Sequence, residues 1–112
     1  MSVTVINITI EQGADFSFSF AIRNPDESIA TLSNYSLLST LKRHPTASIG
    51  TTFTTSLNTS TSVATIGLGR TDTSLLVPGR HYYDAFLVSP EGKRIKTVEG
   101  NALVNPSATL VL

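Results

Sequence analysis

Apolar and polar side chains alternate along much of this chain, and the period is two. The clearest run is residues 15–23. Phe16, Phe18, Phe20 and Ile22 fall on one face there, and Ser17, Ser19 and Ala21 on the other. A period of two is the repeat of an extended strand. At about 1.5–3 kcal/mol per buried large apolar side chain, this strip predicts a sizeable part of a core. Residues 3–10 form another strand, with Thr4, Ile6, Ile8 and Ile10 opposite Val3 and Val5, until Gln12-Gly13-Ala14 breaks it. Residues 24–28 are a polar turn and residues 29–33 lead into a third strand, 35–43. Its more apolar face is Tyr35, Leu37, Ser39 and Leu41, and His44-Pro45 ends it. Residues 51–57 and 62–68 are two further strands around Asn58-Thr59-Ser60, the second with Ala64, Ile66 and Leu68 opposite Val63, Thr65 and Gly67.

Residues 69–76 differ. Thr71 or Asp72 is placed to N-cap one helical turn through Ser74, Leu75 and Leu76, stopped by Pro78-Gly79. The segment 75–100, LLVPGRHYYDAFLVSPEGKRIKTVEG, then reads as a β-hairpin with a structured entry. Residues 82–88 are a strand, Ser89-Pro90-Glu91-Gly92 the turn, and residues 93–98 the return. A Leu-x-Pro-Gly-x-x-Tyr run is a typical entry to a Greek-key sandwich strand, where a tyrosine hydroxyl ties down the crossing loop. Tyr82 is the expected corner, with Gly79 and Gly92 as the structural glycines. Ala102-Leu103-Val104, a break at Pro106 and the apolar tail Leu110-Val111-Leu112 complete the chain. Seven to eight short strands and no long helix predict an all-β fold: a single Ig-like antiparallel β-sandwich spanning residues 1–112.

A length of 112 residues suits one domain with a modest core. Eight basic residues balance eight acidic ones, which argues against nucleic acid as a partner. The densest basic cluster, Lys93-Arg94-Ile95-Lys96, reads as a solvated edge, with Arg94 and Lys96 on one face of the strand. Only 14% of residues are charged, whereas serine and threonine together number thirty. Such a neutral, hydroxyl-rich surface suits a protein that packs against other proteins. There is no cysteine, so disulfides and thiolate metal sites are excluded. No signal peptide is read at the N-terminus, and no apolar run has membrane-spanning length, so no membrane partner is expected. Three Asn-x-Ser/Thr matches, at Asn7, Asn34 and Asn58, are read as chance in so hydroxyl-rich a chain.

Candidate chemistry is sparse. His44 and His81 are read as surface histidines, since their spacing from Asp72 and Asp84 fits no metal motif and no thiolate can join them. No Gly-x-Ser-x-Gly elbow is present, Gly67-Leu68-Gly69 lacks the spacing of a phosphate cradle, and several acidic residues fall in turns. No catalytic residue, metal or cofactor is therefore assigned, and no enzyme activity is expected. Asp84 stands out because aspartate is depleted from strands. An unpaired buried carboxylate would cost several kcal/mol, so it is expected to be anchored by backbone amides, a hydroxyl or an arginine. The functional alternative is a contact to a partner subunit.

Taken in order, several pieces resemble a known group. Ile10-Glu11-Gln12-Gly13-Ala14-Asp15-Phe16 resembles a strand-glycine-strand opening. Leu32-Ser33-Asn34-Tyr35-Ser36 resembles a Leu-Thr-Gly-Tyr-Thr strand entry, and Pro78-Gly79-Arg80-His81-Tyr82-Tyr83-Asp84 a Pro-Gly-x-Tyr-x-Tyr-Asp run. Glu91-Gly92, Val98-Glu99-Gly100 and Pro106-Ser107-Ala108-Thr109 follow in register. The set is similar to the small β-sandwich domains of tailed-phage virions. That group includes collar and tail-fibre-attachment proteins, the N-terminal domain of baseplate upper proteins and related head proteins. The resemblance implies a virion structural protein, located in the virion after assembly in the host cytoplasm. It would work as a capsid decoration or cement protein by packing against itself and against the major capsid protein. A trimer would suit a capsid three-fold position. A neck, collar or tail-fibre adaptor is the alternative, and a ligand- or glycan-binding sandwich a more remote one. Tyr35, Tyr83 and Leu110, Val111 and Leu112 are candidate interface groups, with ordinary core as the competing role.

Overall fold

The computed structural model describes residues 3–23 and 32–108. The expected turn at 24–28, the lead-in residues 29–31 and the apolar tail Leu110-Val111-Leu112 lie outside them. Nine strands and one short helix follow in order: β1 (Thr4–Val5), β2 (Ile8–Glu11), β3 (Phe16–Ala21), β4 (Ser36–Lys42), β5 (Thr51–Thr52), β6 (Thr54–Asn58), β7 (Val63–Leu68), α1 (Arg70–Ser74), β8 (Gly79–Val88) and β9 (Arg94–Asn105). They form two sheets. The larger has the order β1-β9-β8-β4-β5, with β2 beside β1 on the same flank of β9, and the smaller has the order β3-β7-β6. This is the immunoglobulin-like division of strands, and the fold is an all-β sandwich.

The core sits between the sheets. Ile8, Ile10, Leu37, Leu41, Tyr83, Ala85, Leu87, Val98, Ala102 and Val104 face it from the larger sheet, and Ala64, Ile66 and Leu68 from the smaller. These are the alternate positions the sequence pattern picks out on β2, β4 and β7. The strip on β3 behaves differently. Ile22 is buried, but Phe16, Phe18 and Phe20 are only half-buried, because β3 is an edge strand of a three-stranded sheet and its rings lie at the rim of the sandwich.

Three local features depart from the pattern. The strand expected at 51–57 divides at Phe53: Thr51–Thr52 pairs with β4 in one sheet and Thr54–Asn58 with β7 in the other. Phe53 is buried at the crossing, its N–H bonded to the Ser39 carbonyl and its ring centroid 6.1 Å from Phe16 and 6.3 Å from Tyr83. A strand that switches sheets makes a sandwich corner. The helical turn starts two or three residues early, with Gly69 rather than Thr71 or Asp72 at the N-cap, and no side chain caps it from that position. Instead the Asp15 carboxylate, far away in sequence, accepts the Arg70 N–H at 2.8 Å. Finally, β1 and β2 run parallel to β9, a long-range pairing in an otherwise antiparallel fold.

The break between β1 and β2 is built around one glycine. The Ile6 N–H donates to the Glu99 carbonyl, and the Asn7 side chain accepts the Asn101 N–H at 3.0 Å. The Ile6 carbonyl thereby lies on the α-carbon of Gly100, where any Cβ would fall on it. Gly100→Ala is therefore expected to lower unfolding stability by about 2–4 kcal/mol in urea titrations. Gly69→Ala, whose Cβ meets nothing within 4 Å, should cost less than about 1 kcal/mol.

Candidate functional site

Strand β8 runs through the middle of the larger sheet, and its alternation divides its side chains cleanly. His81, Tyr83, Ala85 and Leu87 are buried, whereas Tyr82, Asp84, Phe86 and Val88 point outward and are half-exposed. Register with β4 and β9 arranges the outer face in rows: Lys42, Tyr82 and Asn101; Thr40, Asp84 and Glu99; Leu38, Phe86 and Lys96; Ser36, Val88 and Arg94. Val5 of β1 adjoins the second row, opposite Glu99. All of these except Ser36 and Val88 line an open depression of about 550 Å³.

Lys96 is the electrostatic centre of this face. Its ammonium lies 3.3 Å from a Glu99 carboxylate oxygen and 3.8 Å from one of Asp84, and 5.5 Å from the centroid of the Phe86 ring. Pairs this exposed contribute about 0–1 kcal/mol each. Their effect is to fix a lysine between two acids and over an aromatic face. Lys96 reaches this position through a β-bulge. Ala85 pairs with Val98 and Phe86 with Lys96, so Thr97 is the extra residue. Thr97 is buried and its hydroxyl donates to the Ala85 carbonyl at 3.2 Å. The result is an aromatic and aliphatic centre (Tyr82, Phe86, Leu38, Val5) among charges of both signs. Leu38 is 46% exposed and Val5 69%.

The structure rearranges several expected roles. Tyr82 is not the corner: its ring is on the outer face. Its neighbour Tyr83 is buried, 4% exposed, and donates its hydroxyl to the Ile6 carbonyl at 2.6 Å. That anchor reaches the N-terminal strand rather than the loop before β8. Tyr83 is accordingly core in this chain and is not available as a surface interface group. The loop is tied down by His81 instead, which is buried rather than on the surface. Its Nε2 lies 2.7 Å from the Val77 carbonyl, which can only accept, so Nε2 carries the proton. His44 is exposed, as expected. Asp84 is 39% exposed and meets Lys96, so the expected buried carboxylate held by amides, a hydroxyl or an arginine is replaced by a solvated cross-strand pair. Gly79 has φ 122° and lies against the Arg43 guanidinium, which donates to the Pro78 carbonyl at 3.2 Å. Gly92, with φ 88°, closes the β8–β9 turn through its N–H to the Ser89 carbonyl. Tyr35 is half-buried against the core.

Tyr82 and Asp84 therefore share one face, Tyr83 lies on the other, and Gly79 and Gly92 sit near opposite ends of β8. Phe86, Leu38 and Val5 are not among the residues singled out from the sequence. The alternation of β8 contains the signal for Phe86, two residues beyond Asp84. Leu38 and Val5 are legible only once the strands are paired. Among the described residues, no three His, Cys, Asp or Glu side chains come together as a metal site, and no helix is long and apolar enough to cross a membrane.

No family model matches this chain, and no curated protein does. Among solved structures, it is similar to the Listeria monocytogenes internalin-like protein lmo2027, at 20% sequence identity and a TM-score of 0.46. The match covers 93% of this chain and 28% of that one, so the chain spans less than a third of that protein. A likeness of this degree says nothing of what the present chain binds.

Burial pushes the Tyr83 hydroxyl from 10.0 up to about 12. The folded protein then keeps a proton that the unfolded chain releases. This contribution is complete below pH 10 and is lost as pH rises from 10 to 12, a change on the order of 2 kcal/mol. Ultraviolet titration of the three tyrosines should show one ionising last, and Tyr83→Phe should remove that step. The Phe variant should also lose about 1 kcal/mol of stability at neutral pH and decline less steeply in alkali.

Proposed function

We propose that this protein is a structural component of a tailed-phage virion, a capsid decoration or cement protein that acts by packing against other virion proteins. The observation that carries this reading is the outer face of the larger sheet. Tyr82, Phe86, Leu38 and Val5 stay partly uncovered there, within a frame of Lys42, Arg94, Lys96, Asp84 and Glu99. Apolar centres with aromatic anchors and a polar, charged rim are the anatomy of protein–protein interfaces. The ordered motif likeness to virion sandwich domains, from the Gly13 step to the Pro106 break, supports the phage assignment. The mechanism is surface complementarity repeated at many equivalent sites on a particle, with no bond made or broken. The major capsid protein is the proposed partner of this face.

The same likeness extends to neck, collar and tail-fibre adaptors, so the test offers both kinds of particle. Purified protein mixed with capsids that lack it should co-sediment with them, and Tyr82→Ser combined with Leu38→Ser should weaken that binding by about tenfold or more. Binding to isolated tails and not to heads would move the protein to the adaptor role. Absence of binding to either would overturn the virion reading.

A further inference from the structure

Strand β3 pairs with β7 on one side only. Among the described residues nothing pairs with its other side. The phase of its backbone is fixed by one bond: the Ile22 N–H donates to the Ser62 carbonyl at 2.8 Å, across the same register that places Phe20 opposite Ala64 and Phe18 opposite Ile66. Even-numbered residues of β3 therefore turn their N–H and C=O groups toward β7. By the alternation of an antiparallel ladder, Ser17, Ser19 and Ala21 turn theirs to the open edge.

Natural edge strands are protected against pairing by charge, proline or a bulge. The edge Phe16–Ala21 has none of these: the segment is FSFSFA, and its register with β7 is unbroken. The charges stand just outside it, and they are opposite in sign. Asp15 precedes the strand and Arg23 follows it. Among the described residues the Arg23 guanidinium donates to the Ile22 and Thr61 carbonyls, at 3.1 and 3.2 Å, and meets no carboxylate. Asp15 uses one oxygen on the Arg70 N–H.

We propose that the open edge of β3 pairs antiparallel with β3 of a second copy of this chain, joining two three-stranded sheets into one across a two-fold axis at Ser19. In that register Ser17 lies opposite Ala21 of the other copy, Phe18 opposite Phe20, and Asp15 opposite Arg23. The inward face stays aromatic, the outward face stays small and polar, and an ion pair closes each end. The residues that turn N–H and C=O to the edge are the ones this register pairs, giving about six backbone hydrogen bonds across the axis. A shift of two residues would keep the faces but would set Asp15 opposite Ala21 and leave both charges unmatched. Charge complementarity thus selects the register as well as the partner. The other edge of the smaller sheet, β6, is uncharged and has neither the ring strip nor flanking charges of opposite sign.

Six residues per copy, with rings already half-buried, fall short of the about 1,200 Å² that stable specific interfaces bury. The pairing is therefore weak in solution and gains strength when copies are held close together on a surface. It uses an edge of the smaller sheet and leaves the outer face of the larger sheet free, so it does not depend on the partner assigned to that face.

Sedimentation equilibrium of the purified full chain tests it without any capsid. The expected result is a monomer–dimer equilibrium with Kd on the order of 10–100 µM. Ser19 is exposed, and at the axis it faces itself. Ser19→Lys and Ser19→Glu should each leave the thermal melt nearly unchanged and raise the dimer Kd by at least about tenfold, through like charges placed directly opposite. An equimolar mixture of the two variants should recover dimer. Should the lysine variant fold poorly, Ser19→Asp, at the same exposed position on the axis, provides the same block. A wild-type monomer at all concentrations up to about 1 mM would overturn the proposal. So would a dimer or trimer that the Ser19 variants leave intact. Because the capsid-binding test uses Tyr82 and Leu38, either reading can fail alone.

Discussion

The Ile6 carbonyl is the point on which the rest of the larger sheet depends. It is seated on Gly100, accepts the Tyr83 hydroxyl, and belongs to a residue whose own N–H is held by Glu99. The N-terminal strands β1 and β2 are fixed by that crossing to β8 and β9, which lie far away in sequence. Loss of the donor would leave this half-buried carbonyl without its partner, at about 1 kcal/mol. Loss of the glycine would leave the carbonyl no room. The N-terminal segment covers the flank of β9 because it can cross at this one place. β1 and β2 each pair parallel with β9 on either side of the crossing, and Ile8 and Ile10 enter the core as a result.

With that flank of the larger sheet covered, the two sheets are left with different surfaces. The outer face of the larger sheet has aromatic and aliphatic groups between charged rows, centred on Lys96. Among the described residues the smaller sheet has only three strands. Its outer face bears Ser17, Ser19, Thr65, Ser56 and Thr54, with Ser19 and Thr65 hydroxyls 2.8 Å apart, and its edge strand β3 lies open. Among the described residues, a covering strand is present on one sheet and not on the other. That asymmetry underlies the two contacts proposed: a mixed face for a different protein and a backbone edge for a second copy of the chain.

Much of the sandwich is legible from alternation alone, because a buried face repeats every second residue. β2, β4, β7 and the inward side of β8 follow it. What alternation does not convey is depth. Phe16, Phe18 and Phe20 make the strongest signal in the chain, yet they sit at a rim, since burial depends on how many strands flank β3. Nor does it convey register between distant segments. The parallel pairing of β1 and β2 with β9 and the division of 51–57 at Phe53 arise from contacts that no local pattern encodes. The tyrosine anchor shows the finest limit. Tyr82 and Tyr83 are adjacent and chemically alike, and a shift of one residue exchanges core for surface. The Pro78-Gly79 entry indicates a locked corner, but the lock is His81, whose buried role a lone histidine does not announce. The candidate face was half-legible for the same reasons: Tyr82 and Asp84 could be named from one strand, whereas the bulge at Thr97 that delivers Lys96 to them could not.

Native-state hydrogen exchange at the crossing tests the account most directly. The Ile6 and Asn101 amides bind across it, to Glu99 and to Asn7. They should exchange only through global unfolding, with the same free energy as core amides of β8 such as Ala85, and with the same sensitivity to denaturant. Exchange at Ile6 and Asn101 through a low-energy local opening, while β8 remains protected, would contradict the claim that the crossing holds the larger sheet together.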